Sequence, residues 1–127
     1  MSALGLYVHL PFCPQRCPYC GFAVVTGMDH LHQRYASAVV GEIRRRCRGC
    51  RPFDTIFLGG GTPTRLSPAL VGLILEAAAA TAGIAAGAEI TIEANPSSAD
   101  QGRFEQLRAM GCTRLSLGVQ SFGDRSL

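Results

Sequence analysis

Apolar and polar positions along the chain fall into alternating short and long blocks. Gly5–Leu10 (GLYVHL) is a brief apolar run leading into a loop, which predicts a short buried strand. Over residues 28–46, Leu31, Tyr35, Ala38, Val39 and Ile43 recur near helical spacing and predict a helix. Residues 53–58 (FDTIFL) are β-branched and aromatic, a second strand, which ends in Gly59-Gly60-Gly61-Thr62-Pro63. The next helix opens with Ser67 as N-cap and Pro68 at the first helical position. It carries a stripe of Leu70, Leu73, Ile74 and Ala77 and stops at Gly83. Residues 89–93 (EITIE) form a third strand, closed by Ala94-Asn95-Pro96. Residues 98–101 match a capping box that opens a helix with Phe104 and Leu107 inward and Gly111 as stop. Residues 114–119 (RLSLGV) form the fourth strand.

This alternation predicts an α/β fold whose strands are parallel and joined by right-handed crossovers. An open doubly wound sheet and an arc of a barrel both satisfy it. In either, the carboxyl ends of the strands share one face, and ligands bind there. The cysteine loop after the first strand, GGGTP after the second, EANP after the third and GVQS after the fourth should therefore converge on one site.

Composition narrows the class. Hydrophobic residues make up 47% and charged residues 17%, which excludes a disordered chain. No apolar run reaches the roughly 18 residues that span a bilayer, and the amino terminus lacks the basic and apolar regions of a secretory signal. A cytoplasmic, reducing setting is expected. Twelve basic residues, all Arg, against nine acidic ones leave a net charge of +3, too little to imply nucleic-acid binding.

Six cysteines in such a chain point to metal or redox chemistry more than to disulfides. Cys13, Cys17 and Cys20 stand as C-x3-C-x2-C within eight residues. Three thiolates on one loop suit a [4Fe–4S] cluster with one iron left open. A zinc knuckle completed by a distant Cys, or reduced thiols with no metal, also fit the spacing. Glycines 59–61 remove Cβ atoms and let backbone approach a ligand, or simply make a tight turn. Glu93 ends an apolar strand and could accept two ribose hydroxyls, or stand as an outward or helix-terminal charge. Gln120 offers a donor and an acceptor, for a ligand or for a turn. Tyr7 and His9 alternate with apolar neighbours, and for His9 a satisfied core role is favoured. Tyr19 lies between two of the clustered cysteines.

YVHLPFCPQRCPYC, TIFLGGGTPT, EITIEANPSS and RLSLGVQSF, in that order, resemble the radical S-adenosylmethionine (SAM) superfamily, and within it the group of oxygen-independent coproporphyrinogen III oxidase and its heme-chaperone relatives. The resemblance implies the first part of a partial (β/α)6 TIM-like barrel, with about four parallel strands and alternating helices. It implies that Cys13, Cys17 and Cys20 hold a [4Fe–4S] cluster, whose open iron is chelated by SAM. One electron then cleaves SAM to methionine and a 5′-deoxyadenosyl radical. Gly60, Gly61 and Thr62 would contact the methionyl part, Glu93 the ribose, Gln120 the SAM body, and Tyr7 and Tyr19 the pocket wall. Heme or a porphyrinogen, and an electron donor such as flavodoxin or ferredoxin, are the implied partners. The oxidase continues its motif with a Cys two residues after the third ligand; here Gly21 and Phe22 follow Cys20, which favours the chaperone. In chaperones Asp usually follows the third ligand, and Gly21 departs from that. The oxidase is the alternative; a non-enzymatic iron–sulfur or zinc module, or an inactive truncated remnant, is the alternative of another class.

Family members run to several hundred residues, so residues 1–127 are expected to be the amino-terminal portion of a radical SAM core, truncated after the fourth strand. An arc of four strands predicts an open edge and aggregation or partial unfolding when expressed alone. Cys47 and Cys50, in RRRCRGCR at the end of the first helix, lie outside the proposed site. A structural or incidental role is favoured over a redox or second-metal one, since the residues fall on a connection and basic residues suit a helix carboxyl terminus. Cys112 is expected to be a small buried hydrophobe.

Overall fold

The computed structural model describes residues 2–98 and 100–126. Strands β1 (Gly5–Leu10), β4 (Phe53–Gly60), β5 (Ile84–Ala94) and β6 (Arg114–Leu117) form one sheet in the order β1-β4-β5-β6. Every pairing in it is parallel. Two-residue strands β2 (Phe12–Cys13) and β3 (Val25–Thr26) pair separately and close the cysteine loop at its base. Helices α1 (His32–Arg46), α2 (Pro68–Thr81) and α3 (Gln101–Ala109) are the crossovers.

Strand alternation sends Val8, Leu10, Ile56, Leu58, Ile90 and Ile92 to one face, where they are buried with Ile43 of α1, Ile74 and Leu75 of α2, and Leu107 of α3. All three helices thus cover one side of the sheet. The other side carries Tyr7, His9, Thr55, Phe57, Glu89, Thr91, Glu93, Arg114 and Ser116, by the same alternation and register. One-sided helices and a polar concave face are those of a barrel arc, not of a doubly wound sheet.

Several boundaries differ from the periodicity. The first helix starts at His32, after a 3-10 turn over Asp29–Leu31, and buries Ala36 and Ile43 while Ala38 is exposed. Leu73 of α2 is also exposed, because seven other residues of this nearly all-apolar helix already meet the core. β5 begins five residues earlier than its apolar run. Phe53 pairs with Ile84 but Thr55 pairs with Glu89, so the intervening segment, with Gly87 at φ +77°, bulges out of register. The N-cap of α3 is Asp100, whose carboxylate accepts from the Arg103 amide at 2.7 Å. Ser98 belongs instead to the 3-10 turn that Pro96 opens. β6 ends at Leu117, two residues short of the end of the apolar run, and the Gly118 amide makes the last ladder bond, to the Ala94 carbonyl at 3.0 Å.

Ser67 caps α2 as expected, accepting from the Leu70 amide, and Gly83 and Gly111 follow their helices with φ of +91° and +114°. Cys112 is buried among these core side chains, and desolvation pushes its thiol up to about 11. The folded state therefore favours the neutral thiol. Its contribution to stability is complete below the ordinary thiol range and fades as pH climbs through about 11. In the intact protein, urea midpoints should fall more steeply from pH 8 to 10.5, values on the order of the thiol titration range, than in Cys112→Ala. Parallel slopes would refute this.

Candidate functional site

The carboxyl ends of β1, β4, β5 and β6 surround a cleft of about 310 Å³. Cys13, Cys17 and Cys20 line it, as do Tyr19, Gly60, Gly61, Thr62, Glu93 and Gln120. The four segments after the strands thus meet at one place, as parallel topology requires. Tyr7 does not line the cleft. It sits three residues short of the end of β1, its ring stacked on Phe57 at 6.0 Å and its hydroxyl 3.1 Å from His9 Nδ1. Partial burial, and then the Glu93 carboxylate, hold its hydroxyl above the usual range.

His9 is a satisfied structural side chain. Its Nε2 lies 2.8 Å from the Ala23 carbonyl, which ties the cysteine loop to β1. Its ring also packs on Gly60, where a Cβ would come within 2.7 Å. Gly60 has φ +122°, a conformation few other residues adopt. Close packing therefore constrains the glycine triplet as well. At Gly61 a Cβ would lie 2.6 Å from the Pro11 carbonyl oxygen. The amides are engaged within the protein: Gly60 donates to Glu93 Oε2 at 3.0 Å, Gly61 to the Leu10 carbonyl at 2.9 Å, and Thr62 to the Phe12 carbonyl at 2.8 Å. The triplet lets β4 lie flush against the chain entering the cysteine loop.

Glu93 is half-buried and held by the Gly60 amide, so the carboxylate is fixed at the cleft wall. The buried hydroxyl of Thr62 joins three segments. It accepts from Asn95 Nδ2 at 3.1 Å and lies 3.6 Å from Cys13 Sγ. Asn95, Ser97 and Ser116 also line the cleft, and none was singled out in the sequence. The available signal was a polar side chain just beyond, or facing inward near, a strand's carboxyl end. Gln120 reaches the cleft with φ +60°, the one positive φ among the described non-glycine residues. Tyr19 is exposed, and the neighbouring Cys17 thiol raises its hydroxyl above the usual range.

The thiols of Cys13, Cys17 and Cys20 are free and half-buried. Among the described residues no three His, Cys, Asp or Glu side chains converge as ligands of a single metal ion. A four-iron cluster takes its thiolates at separate corners, so donors spread around one cleft fit it. The donor set is soft, local and three in number, and it adjoins a wall that offers a carboxylate, hydroxyls and an amide. These residues fit an iron–sulfur cluster together with a polar organic ligand.

Fold and cleft define a parallel α/β barrel arc with its cleft at the strands' carboxyl edge. The Radical SAM superfamily model matches residues 7–127, and the chain belongs to that superfamily. It is 41% identical over 125 residues to radical S-adenosyl methionine domain-containing protein 1, mitochondrial, of Bos taurus, covering 97% of this chain and 28% of that one. It is 38% identical over 130 residues to heme chaperone HemW of Escherichia coli, covering 100% and 34%. The solved structure of coproporphyrinogen III oxidase (HemN) from Escherichia coli, described as a radical SAM enzyme, matches with a TM-score of 0.88 and 36% identity over 97% of this chain and 29% of that one. The chain spans about a third or less of the length of these relatives.

Proposed function

We propose that this chain is the cluster- and SAM-holding portion of a heme chaperone. Cys13, Cys17 and Cys20 hold the cluster. A [4Fe–4S] cluster held by these three thiolates would supply one-electron reducing chemistry toward SAM bound beside it. Thr62 and the outward edges of Gly60 and Gly61 face the methionyl end; their amides, already engaged, do not. Glu93 accepts ribose hydroxyls with the oxygen that Gly60 leaves free. Gln120 and Tyr19 border the body of SAM, and Tyr7 acts only through His9, whose ring it orients. A flavodoxin- or ferredoxin-class donor supplies the electron, and a cytoplasmic setting keeps the cluster thiols reduced.

Phe22 is the observation that favours a chaperone over an oxidase. It lines the rim of the cleft with its side chain 66% exposed, at the position where the oxidase motif places a further Cys. A phenyl face there offers apolar surface rather than a thiol. Similarity to both HemW and HemN supports a porphyrin partner in either case.

The test uses the full-length protein, reconstituted without oxygen. Hemin titration should give a saturable Soret change, and coproporphyrinogen III should gain no vinyl groups in the presence of SAM and reductant. Vinyl formation at catalytic turnover would assign the chain to the oxidase instead.

A further inference from the structure

The two cysteines at the far end of α1 are left unused by the cleft chemistry. Cys47 is the C-cap of α1, its amide donating to the Ile43 carbonyl at 2.9 Å. The chain then turns, and the Cys50 amide donates to the Cys47 carbonyl at 3.1 Å. Gly49 at the third position of this turn has φ +81°, while Arg48 before it is not at positive φ, the pattern of a type II turn. Such a turn holds its first and fourth Cα atoms within about 7 Å, and a disulfide bridges Cα atoms roughly 4.4–6.8 Å apart. The backbone therefore already holds the pair near bridging distance.

Exposure divides the roles. Cys50 is exposed, whereas Cys47 is half-buried against the core and lines a small recess with Leu6, Val39 and Ile43. Charge surrounds both. Arg44, Arg45 and Arg48 are exposed and form no ion pair among the described residues, and Arg46 pairs with Glu42 at 3.0 Å. The pair lies before β4 begins at Phe53, at the end of the sheet opposite the cleft.

We infer that Cys47 and Cys50 form a reversible dithiol/disulfide site whose oxidant is an anionic low-molecular-weight disulfide. The exposed Cys50 thiolate attacks the external disulfide, forming a mixed disulfide and expelling one thiolate. Cys47 then attacks the Cys50 sulfur, closing the Cys47–Cys50 bond and expelling the second. Two electrons pass to the external disulfide, and the two cysteine protons end on the two released thiols. The unpaired arginines raise the local concentration of an anionic oxidant such as glutathione disulfide.

The test equilibrates the intact protein in anaerobic glutathione buffers, blocks free thiols with N-ethylmaleimide and maps the cysteines by mass spectrometry after trypsin. Cleavage after Arg46 and Arg48 should leave residues 47–48 joined by a disulfide to the peptide from Gly49, and reduced glutathione should reverse the link. Cys47→Ser should trap a Cys50–glutathione mixed disulfide. Cys50→Ser should cut glutathione incorporation at Cys47 about tenfold, because the burial of that sulfur limits access. High salt should slow the reaction of glutathione disulfide about tenfold and leave cationic cystamine unslowed. Free or singly glutathionylated cysteines in the parent at every buffer ratio would overturn the site. Equal salt response of the two oxidants would overturn its selection of anions.

Discussion

Cys17→Ala in the intact, anaerobically reconstituted protein is expected to lose the iron–sulfur cluster and SAM binding together. The three half-buried thiols border one cleft and are free of disulfides. Removing one leaves two protein donors for four irons. Loss of a group that merely supports a ligand lowers metal affinity about 10- to 100-fold, so loss of a ligand itself should reach at least about the upper figure. Cys17 is the cleanest choice, because Cys13 Sγ also lies 3.6 Å from Thr62 and its backbone belongs to β2. Iron and sulfide content with visible absorption measure the cluster, and equilibrium dialysis measures SAM. Cys112→Ala, outside the cleft, is the control. Parental iron content in Cys17→Ala would remove the basis of the proposed function.

The second large effect is structural and reaches the same site. Gly61→Ala places a methyl 2.6 Å from the Pro11 carbonyl oxygen and 2.8 Å from that of Phe12. Both atoms are backbone, so no rotamer change relieves the overlap. The Gly61 and Thr62 amide bonds to Leu10 and Phe12 must lengthen, and with them the contact that seats β2. Overpacking of this kind costs about 1–3 kcal/mol. Because β2 ends in Cys13, cluster loading should fall as well. Gly41→Ala provides the opposite sign. It lies within α1, only the Arg45 guanidinium tip stands near, at 3.3 Å, and helix propensity favours Ala by about 1 kcal/mol. Urea midpoints of the intact variants test both. Equal midpoints for Gly61→Ala and parent would show that the turn yields easily.

What could be read from the residues follows from how local the signals are. The strands before each ligand segment were legible because β-branched and aromatic runs such as 53–58 resist helix, and Ser67-Pro68 marked a helix start unambiguously. Convergence of the cysteine loop with residues 60–62, 93 and 120 was legible from topology alone. Other features depend on contacts distant in sequence. Whether Ser98 or Asp100 caps α3 depends on the Pro96 turn, since both residue types are good caps. The exposure of Ala38 and Leu73 depends on where the neighbouring helices press. The engaged amides of Gly60, Gly61 and Thr62 could not be foreseen, because their partners Glu93, Leu10 and Phe12 come from other strands. Tyr7 shows the limit of alternation: it identifies the concave face but not the depth along it.

The clamp between the Gly60 amide and Glu93 has a consequence for affinity. A glutamate side chain loses roughly 1.5–2 kcal/mol of rotational freedom when it is immobilised. Here that ordering takes place as the chain folds, before any nucleotide arrives. In the proposed role of Glu93, an incoming ribose would meet an acceptor already stilled, and less of its intrinsic attraction would be consumed in arranging the host.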